Sequence, residues 1–106
     1  MIRAIVRPEA SDTVADALAE AGFYTMTKLS AFGRGKQKGL TVGTMHYDEL
    51  PKVMLMMVVA DESVEPILKI IKDSAYTGNF GDGKVFVMPV EQVIRIRTGE
   101  SGTEAL

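Results

Sequence analysis

The sequence predicts an α+β fold, a ferredoxin-like split βαβ sandwich with two helices over one face of a four-stranded sheet. Three observations lead there. Apolar positions alternate between strand-like and helix-like spacing, in the order strand–helix–strand, long loop, strand–helix–strand. The two halves are of similar length, and no glycine-rich turn opens the first helix. The stretch Val53 to Ala60 is apolar throughout, as expected of a strand buried on both faces or at an interface. With 106 residues the chain is long enough for one domain, residues 1–106, and too short for two.

The elements follow in order. Ile2 to Arg7 alternates as a strand and stops at Pro8. Val14, Ala17, Leu18 and Ala21 form one helical stripe, with Ser11 as the expected N-cap and Gly22 as the terminator. Phe23 to Phe32 reads as a second strand. Residues 33–49 lose all periodicity, and so long an excursion inside a small domain points to a functional loop. Val53 to Ala60 is the third strand. Val64, Ile67, Leu68, Ile71 and Ala75 then mark a second helix, whose Pro66 belongs in the first turn and makes Ser63 the cap. Tyr76 to Gly83 is a turn-rich loop and Val85 to Met88 a fourth strand. Glu91 to Ile94 suits one helical turn, and Ile96 a short last strand. Two helices leave one sheet face bare, where the methionines of the third strand favour an oligomer.

Composition narrows the function. Hydrophobic residues make up 46% and charged residues 25%, the balance of a globular protein and not of a disordered tail. The absence of cysteine excludes a disulfide scaffold, a zinc ribbon and a thiol nucleophile. A net charge of −2 argues against a nucleic-acid binder. No apolar run approaches the roughly 20 residues of a membrane span, and no signal peptide opens the chain, so the expected location is the cytoplasm. The lone His46 has no second histidine or cysteine for a metal site, and no nucleophile stands beside a base. The chain does not read as an enzyme.

Anion binding has better support. Gly78 to Lys84 fits most of a phosphate-loop pattern, but Val85 replaces the magnesium-binding Ser/Thr and a strand follows where a helix is required. What remains is a glycine loop whose amides can converge beside the Lys84 ammonium, or else a plain turn before a strand. Arg95 and Arg97 are spaced to leave one face of a strand, where they either flank an anion or lie solvated at an edge. Arg34, Lys36 and Lys38 add charge to the long loop, which could close over a ligand, reach a partner or merely be solvated.

These residues resemble the PII nitrogen-regulatory signal proteins. Thr77-Gly78-Asn79-Phe80-Gly81-Asp82-Gly83-Lys84-Val85-Phe86-Val87 and Val93-Ile94-Arg95-Ile96-Arg97-Thr98-Gly99-Glu100 match the two signature segments of that family. Ile2 to Pro8, Phe32-Gly33-Arg34, Gln37-Lys38-Gly39 and Leu50-Pro51-Lys52 match as well, so the likeness spans nearly the whole chain. It implies a homotrimer with a nucleotide in each intersubunit cleft, a T-loop at about 34–49, a B-loop at 77–84 and a C-loop at 95–100. It implies that Gly81, Asp82, Gly83 and Lys84 hold the phosphates of ATP or ADP, with Arg34 approaching them and Arg95 and Arg97 reaching in from the neighbour. Thr25 or Thr27 would meet the adenine, and Val58 would line the same pocket. With MgATP bound, 2-oxoglutarate would be captured through Mg²⁺, with Gln37 completing the metal shell and Lys52 meeting the distal carboxylate.

The chain departs from the common pattern at three places. Gly35-Lys36 stands between Arg34 and Gln37, where the family usually runs on without interruption. The loop lacks the tyrosine segment that enterobacterial members modify, since Tyr47 lies too close to Leu50. Met56 replaces a strand residue that is often charged. The short loop and Tyr47-Asp48-Glu49-Leu50-Pro51-Lys52 are most similar to the archaeal and anaerobe branch associated with nitrogenase. That resemblance implies a second, dissimilar PII-like subunit and inhibition of dinitrogenase that ATP and 2-oxoglutarate relieve. Gating of an ammonium transporter is the alternative within the family. A metal-binding protein or enzyme on the same trimeric scaffold is the alternative outside it.

Overall fold

A computed structural model describes the backbone of residues 1–34, 40–42, 45–47 and 49–106. The strands are β1 (Ile2–Val6), β2 (Thr27–Gly33), β3 (Leu40–Val42), β4 (Met45–Tyr47), β5 (Leu50–Met57) and β6 (Lys84–Val87). The helices are α1 (Ser11–Glu20) and α2 (Val64–Ala75). The main sheet has the order β2-β5-β1-β6, every pair antiparallel. Hence β1 runs parallel to β2 with β5 between them, and β5 parallel to β6 with β1 between them. These are two interlocked split βαβ units, as the sequence predicts.

Alternation builds the core. Ile2, Ala4 and Val6 of β1 and Leu55 and Met57 of β5 are buried beneath Val14 and Leu18 of α1 and Ile67, Ile71 and Ala75 of α2. The helix residues recur at the spacing of one helical face. Each fully buried aliphatic side chain here contributes roughly 1.5–3 kcal/mol relative to exposure. The opposite face of the sheet is bare. Arg3, Ile5, Met54, Met56, Leu29 and Phe86 share it by register, since Met54 pairs with Ile5 and Leu29, and Arg3 with Met56 and Phe86. Of the β5 methionines, then, only Met54 and Met56 lie outside the core; Met57 is covered by the helices.

Helix ends agree with chain chemistry more closely at one side than the other. Gly22, at φ +94°, terminates α1, with Gly22 N donating to the Ala19 carbonyl at 3.0 Å and Phe23 N to the Leu18 carbonyl at 2.8 Å. Ser11 is not the cap. Pro8–Ala10 forms a 3₁₀ turn, so the helix begins one residue early, with Ala10 at the cap and Ser11 buried. Ser63 does occupy the cap of α2, without a side-chain bond, and Pro66 lies in its first turn.

Several strand boundaries differ from expectation. β2 begins at Thr27, because Phe23 and Met26 pack against the core on the way from α1 to the sheet edge. β5 spans 50–57 and not 53–60: it stops opposite Ile2, where β1 begins, and it gains Leu50 to Lys52 by pairing with the end of β2. Pro51 is tolerated there because β5 extends past β1 and has only β2 beside it. The long segment is also less irregular than its sequence implies, since β3 and β4 pair with Leu40 opposite Tyr47. Neither the helical turn at Glu91 nor the strand at Ile96 forms. Ile94 makes a single bridge with Ser101, and residues 96–98 are a turn with Ile96 97% exposed. Local closure wins there, through Gly99 N donating to the Arg95 carbonyl and Arg95 N to the Glu100 carbonyl, both at 2.8 Å. Arg95 and Arg97 therefore do not leave one face of a strand.

Candidate functional site

Residues 77–84 form a loop wound around its own carboxylate. The side chain of Asp82 accepts from Thr77 N at 2.7 Å, from Gly78 N at 2.9 Å and from the Thr77 hydroxyl. The Arg7 guanidinium stands 3.3 Å from the same carboxylate. Together these donors hold the Asp82 carboxyl far below the usual carboxylate range, the Thr77 hydroxyl and amide contributing most. Arg7 also donates to the Phe80 carbonyl, and Lys52 Nζ to the Gly81 carbonyl at 2.8 Å. Gly83 allows the loop to rejoin the sheet. At φ +105° it passes so close to β1 that an added Cβ would stand 1.7 Å from the Ile5 carbonyl oxygen.

Three cations gather at this end of the sheet: Arg7 after β1, Lys52 early in β5, and Lys84 opening β6. Strand parity brings them together, because Lys52 and Lys84 lie on the bare face with Ile5, and Arg7 continues the same alternation. Arg34 follows the end of β2 at this same end and is exposed. Gln37 lies outside the described residues.

The other expected site residues lie at the opposite end. Thr27 opens β2 opposite Met56, Thr25 precedes it and is exposed, and Val58 follows β5. Arg95 donates to Glu100 at 3.4 Å and to the Leu106 carbonyl at 2.9 Å, while Arg97 is exposed on the turn. A cavity of about 520 Å³ opens at this end, lined by Val58, Ala60, Glu62, Val90, Val93 and Leu106. Lys52 and Val58 are separated by six residues, roughly 20 Å of extended chain. One copy of the chain thus places the two groups of expected site residues at opposite ends of its sheet.

A family model described as "Nitrogen regulatory protein P-II" matches residues 1–100. The chain belongs to the P-II family. Among its relatives, the Methanosarcina barkeri "Nitrogen fixation nifHD2 region GlnB-like protein 1" is 59% identical over 102 residues, covering 96% of this chain and 97% of that protein. A Methanococcus maripaludis "Nitrogen fixation nifHD region glnB-like protein 1" is 52% identical over the same shares. A Rhizobium meliloti "Nitrogen regulatory protein P-II" is 47% identical, covering 99% of this chain and 97% of that protein. P-II proteins are nitrogen regulators and not enzymes, so the loop and its cations belong to a regulatory protein. No described helix is long and apolar enough to cross a membrane.

Two residues of the loop assembly, Arg7 and Thr77, carry no role in the sequence-based expectations. Thr77 was legible only as part of a signature. Arg7 had a usable signal: alternation from Arg3 through Ile5 puts it on the face of Lys52 and Lys84.

Proposed function

We propose that this P-II chain is a single-domain, cytoplasmic signal protein that forms a homotrimer and reads adenine nucleotide and 2-oxoglutarate. It would pass the reading to nitrogenase by direct contact, in company with a second P-II-like subunit. The observation that carries the nucleotide assignment is the loop 77–84, backed by Arg7, Lys52 and Lys84 at one sheet end. The Gly81 amide and the fixed cations suit a polyphosphate, and Gly83 lets the loop pass close against β1. The side chain of Asp82 serves this site by shaping the loop. In the trimer, the half-site with Thr25, Thr27, Val58, Arg95 and Arg97 faces the loop, Arg34 and Lys84 of the next copy. The nifHD-region names of the relatives favour nitrogenase over an ammonium transporter as the target.

The second effector follows from the first. Among the described residues no group of three acidic or histidine side chains gathers that could hold a metal alone. Mg²⁺ would therefore arrive with ATP, take the keto-acid end of 2-oxoglutarate, and be completed by Gln37, with Lys52 meeting the distal carboxylate. The T-loop, about 34–49, would carry the change of state to the target. The test is a calorimetric titration of 2-oxoglutarate with Mg²⁺ and ATP, ADP or no nucleotide. Binding is expected with MgATP and lost in Lys52→Ala. Equal binding under all three conditions would refute the reading.

A further inference from the structure

From the loop geometry we infer that Arg7 is a positioning residue for the phosphate site, aiming the Gly81 amide outward at the anion. The inference rests on the nucleotide reading above. It begins with a planar trans peptide, in which the carbonyl of one residue and the N–H of the next point in opposite directions. The Phe80 carbonyl is turned inward onto Arg7 Nη2. The Gly81 N–H in the same peptide unit is thereby turned away from Arg7, and it makes no hydrogen bond among the described residues. The guanidinium lies flat enough against the loop that a Cβ on Gly81 would be 3.1 Å from Nη2. A side chain at that position would push the cation off its carbonyl.

Arg7 acts on a second point of the same loop. Its Nε is 3.3 Å from Asp82 Oδ1, and Asp82 in turn takes up the amides of Thr77 and Gly78. Those two amides are committed to the loop itself, whereas the Gly81 amide and the Lys84 ammonium are left to meet a ligand. Lys52 repeats the device one residue on, holding the Gly81 carbonyl from β5. Arg7, just past β1, and Lys52, in β5, thus fix two successive carbonyls, and the loop does not have to reorganise when a phosphate arrives. Glu9, 4.0 Å from Arg7 Nη1, and the Lys52 ammonium are further charged groups beside it.

A positioning role separates from simple charge. Lysine at this place keeps the cation but cannot hold the Phe80 carbonyl and the Asp82 carboxylate together from one planar fork. Calorimetry on Arg7→Gln is expected to show ATP and ADP binding weakened about tenfold, with Arg7→Lys also weakened. In ¹⁵N-resolved NMR the Gly81 amide should shift on addition of ATP in the unmodified protein, and shift less in Arg7→Lys. Overall folding is monitored by thermal melting. Nucleotide affinity in Arg7→Gln within twofold of the unmodified chain would overturn the inference. If Arg7→Gln fails to fold, Arg7→Lys decides, and full ATP affinity there overturns it equally. A Gly81 amide that ignores bound ATP does the same. An unmodified chain that binds no ATP fails at the functional reading itself, before any variant is compared.

Discussion

Asp82 accepts from two backbone amides and a hydroxyl with Arg7 beside it, and its ionisation is therefore tied to the shape of the loop. The sign of the pH effect follows. The folded carboxyl is depressed below its unfolded value of about 3.9, so its stabilisation is fully present above that pH. It is lost progressively as pH falls from there toward the lower folded value. Asp82→Asn removes the charge and can satisfy fewer of these donors. Its denaturation midpoint should lie below that of the unmodified chain at pH 7, with a gap that stays constant down to about pH 5 and narrows below about pH 4. Melting curves from pH 7 to 2 check this, and a gap that persists unchanged to pH 2 would show the carboxylate to be irrelevant. The family resemblance nominated Asp82 but not its partners, because the bonds from Thr77 and Gly78 depend on how the turn closes, which no pattern of residue types specifies.

At the scale of elements, alternation decided what was legible. β1, α1 and α2 follow from their apolar spacing because each has one buried face, and burial enforces periodicity. Strand ends were less legible, because they depend on how far a neighbour reaches: β5 ends opposite the first residue of β1, and a reading of hydrophobicity alone carries the strand on through Val58 to Ala60. The turn at 96–98 was illegible for a related reason, since Arg95 to Thr98 alternates like a strand and has no strand to pair with. The bare sheet face has the opposite character from the covered one. Its described strand residues include Arg3, Lys52 and Lys84 but no carboxylate, and Arg3 Nε is buried without a hydrogen-bond partner among the described residues. Apolar surface from Ile5, Leu29, Met54, Met56 and Phe86 occupies the middle. If this face closes the trimer, Met54→Lys places a further cation amid it, beside Arg3 and Lys52. Burial of an unpaired charge costs on the order of 3–5 kcal/mol, enough to dissociate the trimer at micromolar concentration. Light scattering should give a trimer for the unmodified chain and a monomer for Met54→Lys, with helical circular dichroism retained because Met54 points away from the core. A trimeric Met54→Lys would place the interface elsewhere.

The whole molecule is polarised along its sheet. One end carries Arg7, Arg34, Lys52 and Lys84 around the loop, and the other carries Thr27, Val58, Arg95 and Arg97. The resemblance to the family named all of these but Arg7 and implied that the arginines reach in from a neighbour; the antiparallel register gives the physical reason, since it sets the two groups at opposite ends of one chain. If the copies form a ring in which each head meets the next tail, every complete site would draw on two chains. That geometry makes complementation possible. Lys84→Ala spoils the loop half and keeps the arginine half, while Arg95→Ala with Arg97→Ala does the reverse. Each variant alone should bind ATP at least tenfold more weakly, since each loses a charge-assisted contact at every site. Unfolded together in equal amounts and refolded, the two variants assemble at random. A site is intact only when a sound loop meets a sound arginine pair, so about a quarter of the sites should regain the affinity of the unmodified protein. The other sites are defective in one half or both. Calorimetry on the mixture should therefore show a tight class with a stoichiometry near one quarter per chain, absent from either variant alone. If both half-sites of a chain served one ligand, mixing could restore nothing, and a mixture that binds no better than its parts would locate the nucleotide within a single subunit.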